Sequence, residues 1–146
     1  MFFIGCGEEP SEPASVTPWL ELGSGQSEFI DVEDGDELTL VYGIQGGWHV
    51  DGAAKFGGID PEGASLTYLA TDPDSGELLN YTYNAQLSEN LLQEIEDGWL
   101  RLGDLVVFDV DSDSDVLGRT INIELTLTDA DGNTMQDSRT VVVAAP

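Results

Sequence analysis

The chain has 146 residues, 40% of them apolar, which suits one domain with its own core plus a tail and argues against wholesale disorder. Twenty-nine carboxylates face only Lys55, Arg101, Arg119 and Arg139, a net charge of -25 that repels phosphate backbones and anionic headgroups and so disfavours nucleic-acid binding. With Cys6 as the sole cysteine and His49 as the sole histidine, an internal disulfide and a cysteine-based zinc centre are excluded, and no G-x-S-x-G nucleophile elbow occurs.

Residues 1–18 read as a signal-peptide remnant followed by a linker. Met1 to Gly5 is a short apolar run ending in a small residue before Cys6. Glu8-Glu9-Pro10-Ser11-Glu12-Pro13-Ala14-Ser15-Val16-Thr17-Pro18 is acidic and proline-rich, and therefore extended and solvated. Phe3-Ile4-Gly5-Cys6 resembles the end of a bacterial lipobox, with Phe3 where leucine is usual. The resemblance implies lipidation at Cys6 and an extracytoplasmic protein anchored in the outer membrane or at the cell surface. A secretory signal has an apolar stretch of roughly 7–15 residues, so either the true start lies upstream of Met1 or the resemblance is accidental, Cys6 then being a free thiol in a frayed apolar tip.

From about Trp19 to the C-terminus the pattern is that of strands. Apolar and polar residues alternate through Leu38–Tyr42, Trp48–Phe56, Leu66–Ala70, Leu79–Tyr83, Val106–Val110 and Ile121–Leu127, one dry face and one wet face each. Asp34-Gly35, Gly46-Gly47, Gly57-Gly58, Asp72-Pro73-Asp74-Ser75-Gly76, Gly103-Asp104 and Asp131-Gly132 punctuate them as turns. One segment breaks the rule. Leu91, Leu92 and Ile95 have the spacing of a short amphipathic helix over Leu87 to Gly98, with Gly98 as its stop. The prediction is an all-β, antiparallel β-sandwich of about seven to nine strands over residues 19–146 with at most one short helix, a small closed barrel being the alternative. Val50, Tyr81, Phe108, Ile123, Leu125 and Val142 are predicted to be buried.

Thr120-Ile121-Asn122-Ile123-Glu124-Leu125-Thr126-Leu127-Thr128-Asp129-Ala130-Asp131-Gly132-Asn133-Thr134 resembles the last hairpin of PKD and related immunoglobulin-like modules. Ile121 stands where those domains usually have tyrosine, and no W-x-F-G-D-G motif is present. The resemblance therefore implies an immunoglobulin-like fold without assigning one family. Gln45-Gly46-Gly47-Trp48-His49 is similar to the Q-G-G-x-H segment of uncharacterised lipoproteins of myxobacteria and their relatives, which implies the same compartment.

Four groups of residues are candidate sites. Asp109, Asp111, Asp113 and Asp115 alternate as calcium ligands do, since calcium takes about 6–8 oxygens. Ser114 replaces the glycine of an EF-hand loop and Thr120 its final glutamate, so a solvated acidic loop is the stronger expectation. Asp72 to Glu77, like Asp129 and Asp131, suits a turn better than a cation site. His49 and Asp51 lie two apart on one strand face, opposite Trp48 and Val50, where the pair could hold a metal or a proton but reads better as an exposed or structural histidine. Trp19, Trp48, Trp99, Tyr68, Tyr81 and Tyr83 could stack on a glycan or peptide, with core packing the better reading.

These features favour a non-enzymatic binding or structural module of the cell envelope, displayed on a lipid anchor and recognising a protein or glycan. No transmembrane helix is expected, and no cofactor apart from calcium in a calcium-dependent adhesion or stability module. A carboxylate hydrolase with two acids about 5–9 Å apart is the distant alternative, because so acidic a chain always offers such a pair.

Overall fold

The Asp129–Asn133 turn folds the end of the chain into a long hairpin. The Asp129 carboxylate accepts hydrogen bonds from the backbone N–H of Asp131 (3.0 Å) and Asn133 (2.8 Å), and Gly132 takes the positive φ (89°) that closes the turn. The two strands pair from Thr128↔Thr134 to Thr120↔Val142. Ile121, Ile123, Leu125 and Leu127 all point into the core, and Asn122, Glu124 and Thr126 point outward.

The computed structural model describes residues 17–44 and 46–146. In chain order the strands are β1 (Trp19–Ser24), β2 (Ile30–Asp31), β3 (Glu37–Thr39), β4 (Val41–Tyr42), β5 (Trp48–Gly57), β6 (Ser65–Thr71), β7 (Ala85–Gln86), β8 (Gln93–Ile95), β9 (Gly98–Val107), β10 (Thr120–Thr128) and β11 (Thr134–Ala144). They form two sheets. The first runs β2-β1-β5-β9-β8, with β4 also paired to β5, and the second runs β3-β11-β10-β6-β7. The connections β5–β6 and β9–β10 cross between the sheets, and β3 lies parallel to the last strand. This is the strand order of an immunoglobulin-like β-sandwich, so the predicted all-β class and architecture hold. Strand segments outnumber the prediction because several are only two or three residues long.

The chain changes sheets within one residue at Leu40. β3 pairs with β11 and β4 with β5, while the fully buried Leu40 between them donates its N–H to Ala144 O at 2.8 Å. The core fills the space between the sheets with Phe56, Phe108, Leu66, Leu125 and their neighbours. Across one open side, the Asp137 carboxylate of β11 accepts the N–H of Leu22 in β1 (2.9 Å) and is held by Arg139 (2.7 Å).

Val50, Phe108, Ile123 and Leu125 are buried as expected, but Val142 and Tyr81 are not. Val142 points outward and is half-buried between the buried Val141 and Val143, because Val142 pairs with the outward Thr120. Tyr81 is 59% exposed and Tyr83 is also exposed, since the stretch expected to alternate as a strand is not a regular strand. It leaves β6 after Leu79, whose N–H reaches Ala70 O, and crosses to the edge of β9, where Asn80 bridges Phe108 and Tyr81 N–H reaches Val107 O.

The helix expected over Leu87 to Gly98 is absent. A 3-10 turn at Glu89–Leu91 leads into β8, which pairs with β9 as Ile95↔Gly98 and Glu94↔Trp99. Leu91 faces solvent while Leu92 packs against the core, so the three apolar residues do not share one helical face. Gly98 does not cap a helix. It opens β9 at a close approach, where an added Cβ would lie 2.1 Å from Phe56 O.

Candidate functional site

β5 presents His49 and Asp51 on the outer face of its sheet, as alternation predicts, but His49 is not exposed. Only 6% of it reaches solvent. The loop between β4 and β5 folds over it, closed by Gly43 N–H to Gly47 O (2.9 Å) and Gly46 N–H to Gly43 O (3.0 Å). Positive φ at Gly46 (86°) and Gly47 (100°) permits that tight path. A Cβ on Gly43 would lie 3.7 Å from His49 Nδ1, so the loop packs on the ring through backbone. Among the described residues His49 Nε2 is buried and finds no hydrogen-bond partner. The Asp51 Oδ1 atom is 3.6 Å away, too far for a hydrogen bond, and accepts from Gln26 Nε2 at 3.0 Å instead.

Beside His49 lies an open groove of about 590 Å³, lined by Tyr42, Ile44 and Gly47 on the loop side and by Leu105 and Val107 on β9, and not by Asp51. Tyr42 is 60% exposed and Ile44 fully so, and the Tyr42 ring leans on Trp48 at 4.6 Å between centroids. Tyr83 continues the surface, its hydroxyl reaching Leu105 O at 3.4 Å. The predicted aromatic set therefore divides. Tyr68 is buried, Trp48 and Trp99 are partly buried against the core and Trp19 is half-buried, whereas Tyr81 and Tyr83 are on the surface.

Asp109, Asp111, Asp113 and Asp115 are not gathered. Among the described residues no three or more His, Cys, Asp or Glu side chains come together as a metal cage. Asp113–Asp115 form a 3-10 turn capped by Ser112, which accepts the Ser114 N–H. Asp109 stands beside Tyr81, and its hydrogen bond and charge raise the Tyr81 phenol above its ordinary range. Solvated carboxylates repel one another, so sodium chloride is expected to raise the melting temperature, and millimolar calcium at matched ionic strength is expected to raise it no further. The same should hold for Asp111→Asn. A calcium-specific rise that the variant lacks would establish a calcium site.

Asp72 acts as the turn residue it resembles. Its carboxylate accepts from the Asp74 and Ser75 N–H groups at 2.8 and 3.1 Å and pairs with Arg119 at 2.7 Å. Those backbone hydrogen bonds first, then Arg119, hold it below the usual carboxylate range. Cys6 lies outside the described residues, as does the linker up to residue 16; β1 begins at Trp19.

Gly103-Asp104, expected as a turn, lies inside β9, and Asp104 is a buried, heavily bonded carboxylate there. Asp104, 3% exposed, accepts from Tyr68 Oη (3.0 Å) and from Arg101 Nε (3.0 Å) and Nη2 (2.8 Å). Every cation of the described chain is similarly engaged. Arg119 pairs with Asp72, Arg139 with Asp137, and the Lys55 ammonium sits 4.4 Å above the Phe29 ring. The acidic field at the surface is therefore left without compensation from the protein's own side chains. No helix among the described residues is long and apolar enough to cross a membrane. No protein-family model, curated protein or solved structure matches this chain.

Proposed function

We propose that the chain is a non-enzymatic recognition module of the cell envelope, an immunoglobulin-like domain carried extracytoplasmically on a lipid at Cys6. The observation that carries the recognition half is the groove beside the β4–β5 loop, where exposed Tyr42, Ile44 and Leu105 stand on a rigid sandwich in an uncompensated negative field. Aromatic and aliphatic anchors set in a polar rim are what a protein-binding surface needs. The buried carboxylate that could have served chemistry, Asp104, is instead bound by Arg101 and Tyr68. Support for the anchor is the Phe3-Ile4-Gly5-Cys6 junction followed by an acidic, proline-rich tether.

The anchor is tested by growing cells that express the gene from its native locus on an alkyne fatty acid. The wild type is expected to take up the label and sediment with membranes, and Cys6→Ser to do neither. An unlabelled, soluble wild type would remove the anchor from the proposal.

A further inference from the structure

Strand β11 is 11 residues long, and only one of its edges is filled along most of that length. β10 pairs it from Thr134 to Val142, whereas β3 covers the other edge only at Val142, Val143 and Ala144. Just before β3, Gly35 donates its N–H to Thr140 O (2.7 Å), and the Asp34 carboxylate accepts the Thr140 N–H (2.8 Å). Edge-facing groups recur at every second residue, so the N–H and C=O of Thr134, Gln136 and Ser138 point the same way as those of Thr140. Among the described residues they meet nothing on that side but Arg139 Nη1, which donates to Ser138 O at 2.8 Å. We propose that a second copy of this chain pairs antiparallel with this edge about a two-fold axis at Gln136, joining the two β3-β11-β10-β6-β7 sheets into one. The proposal is independent of the groove and of the anchor.

Register, charge and the state of the other edges lead to it. With Gln136 opposite Gln136 of the second copy, Thr134 faces Ser138, and each outward N–H meets an outward C=O. Ser138 O keeps a second lone pair for the purpose. A slip by one residue turns these groups away from each other, and an axis at Asp137 sets two carboxylates opposite one another. Two chains of net charge -25 repel, so they join only where contact brings no carboxylates together. Thr134, Gln136 and Ser138 are exposed and uncharged, and Asp137 is already bonded to Leu22 N–H (2.9 Å) and to Arg139 (2.7 Å). Most other edges are guarded in the ways that discourage strand addition. β2, β3 and β7 are two or three residues long, and the Asn80 side chain occupies the edge of β6. A bulge interrupts β9, and β8 carries Glu94 with Glu96 and Asp97 just beyond it.

The test is sedimentation equilibrium of the full chain under reducing conditions, where Cys6 cannot cross-link two copies. At about 0.5 M sodium chloride, where charges are screened within a few ångströms, the wild type is expected to dimerise, and about tenfold more weakly at about 0.05 M. Gln136→Pro deletes the central outward N–H while the ladder to β10 remains, and it is expected to be folded by thermal melt and monomeric. Gln136→Lys lowers the net negative charge yet sets two ammonium groups opposite each other at the axis, and it should weaken the dimer about tenfold. Ser65→Lys makes the same charge change on β6, two strands away, and should leave the dimer as strong or stronger. Amide exchange should slow with rising protein concentration at Gln136 and Ser138 and be independent of it at Asp137, whose N–H already faces β10. A wild type that stays monomeric in high salt at about 1 mM, the concentration that reveals even a contact of about 4 kcal/mol, would mean that this edge is left to solvent or to another protein. That result would overturn the proposal, as would a dimer that both Gln136 variants leave intact or one that protects other amides instead.

Discussion

Replacing Arg101 by methionine is expected to destabilise the sandwich by about 3–5 kcal/mol, the cost of leaving a buried carboxylate without its partner. The reason lies in an irregularity of β9. Between Gly52 and Ala54 on β5, the pairing register slips by one residue, with Gly103 at φ 76° in the bulge. Arg101 and Asp104, three residues apart, meet across the bulge with a separation of 2.8 Å. Tyr68 comes from the other sheet to complete the group, lying so close to Gly52 that a Cβ there would be 2.7 Å from its ring. Burial first, then the Asp104 charge, pushes the Tyr68 phenol well above its ordinary range, so it remains a hydrogen-bond donor at any ordinary pH. The Arg101 side chain is 20% exposed and that of Asp104 only 2%, so without the guanidinium little water can replace it. Urea unfolding should show the full loss in Arg101→Met and recovery of most of it in Arg101→Met/Asp104→Leu, since removing both charges removes the unpaired one. A single-variant loss below about 1 kcal/mol would place the pair with surface ion pairs of little worth.

The same region shows how far periodicity reaches. The β10–β11 hairpin was legible because its turn chemistry and its alternation agree: Asp129 and Gly132 close the turn, and Ile121 to Leu127 keep one phase. Val141-Val142-Val143 has no phase of its own, and only counting pairs back from the turn shows that Val142 faces outward. Tyr81 and Tyr83 alternate properly yet face solvent, because their segment is spent crossing from one sheet edge to the other. Leu91, Leu92 and Ile95 have helical spacing by coincidence; the Gly98 contact with Phe56 O, which demands a strand there, depends on a residue more than forty positions away. His49 was placed on the correct face, and alternation left open whether it is exposed or structural. Alternation fixes direction, whereas the covering loop is a tertiary fact. The groove was illegible for the same reason, since Tyr42 and Leu105 become neighbours only when β4 and β9 flank β5.

Asn80→Ala is expected to cost about 3 kcal/mol, because a single side chain there satisfies buried backbone groups that nothing else can reach. Asn80 is 5% exposed. Its Oδ1 accepts the Ala70 N–H at 2.8 Å, and its Nδ2 donates to Tyr68 O at 3.0 Å and to Tyr81 O at 3.1 Å. It thus stands in for a neighbouring strand along β6 of the second sheet. Its backbone does the opposite job. It bridges Phe108 just beyond β9 of the first sheet, flanked by Tyr81 N–H to Val107 O (2.9 Å) and Asp109 N–H to Leu79 O (2.9 Å). Asn80 therefore joins the two sheets, side chain to one and main chain to the other, next to Leu79, whose backbone bonds Ala70 O and Asp109 N–H. Alanine retains the backbone bridge and the Leu79 N–H to Ala70 O bond but leaves the Ala70 N–H and the Tyr68 C=O without the partner Asn80 gave them. Aspartate should be at least as damaging, since it keeps the acceptor, loses both donors and adds a charge where burial penalises it. Equilibrium unfolding gives the magnitude, and hydrogen exchange locates the cause. In Asn80→Ala the Ala70 amide should lose more protection than the global destabilisation explains, while the Leu125 amide in the central strand β10 should follow the global change alone. Equal loss at both amides would mean that Asn80 supports the fold only through general packing and that the edge closes without it.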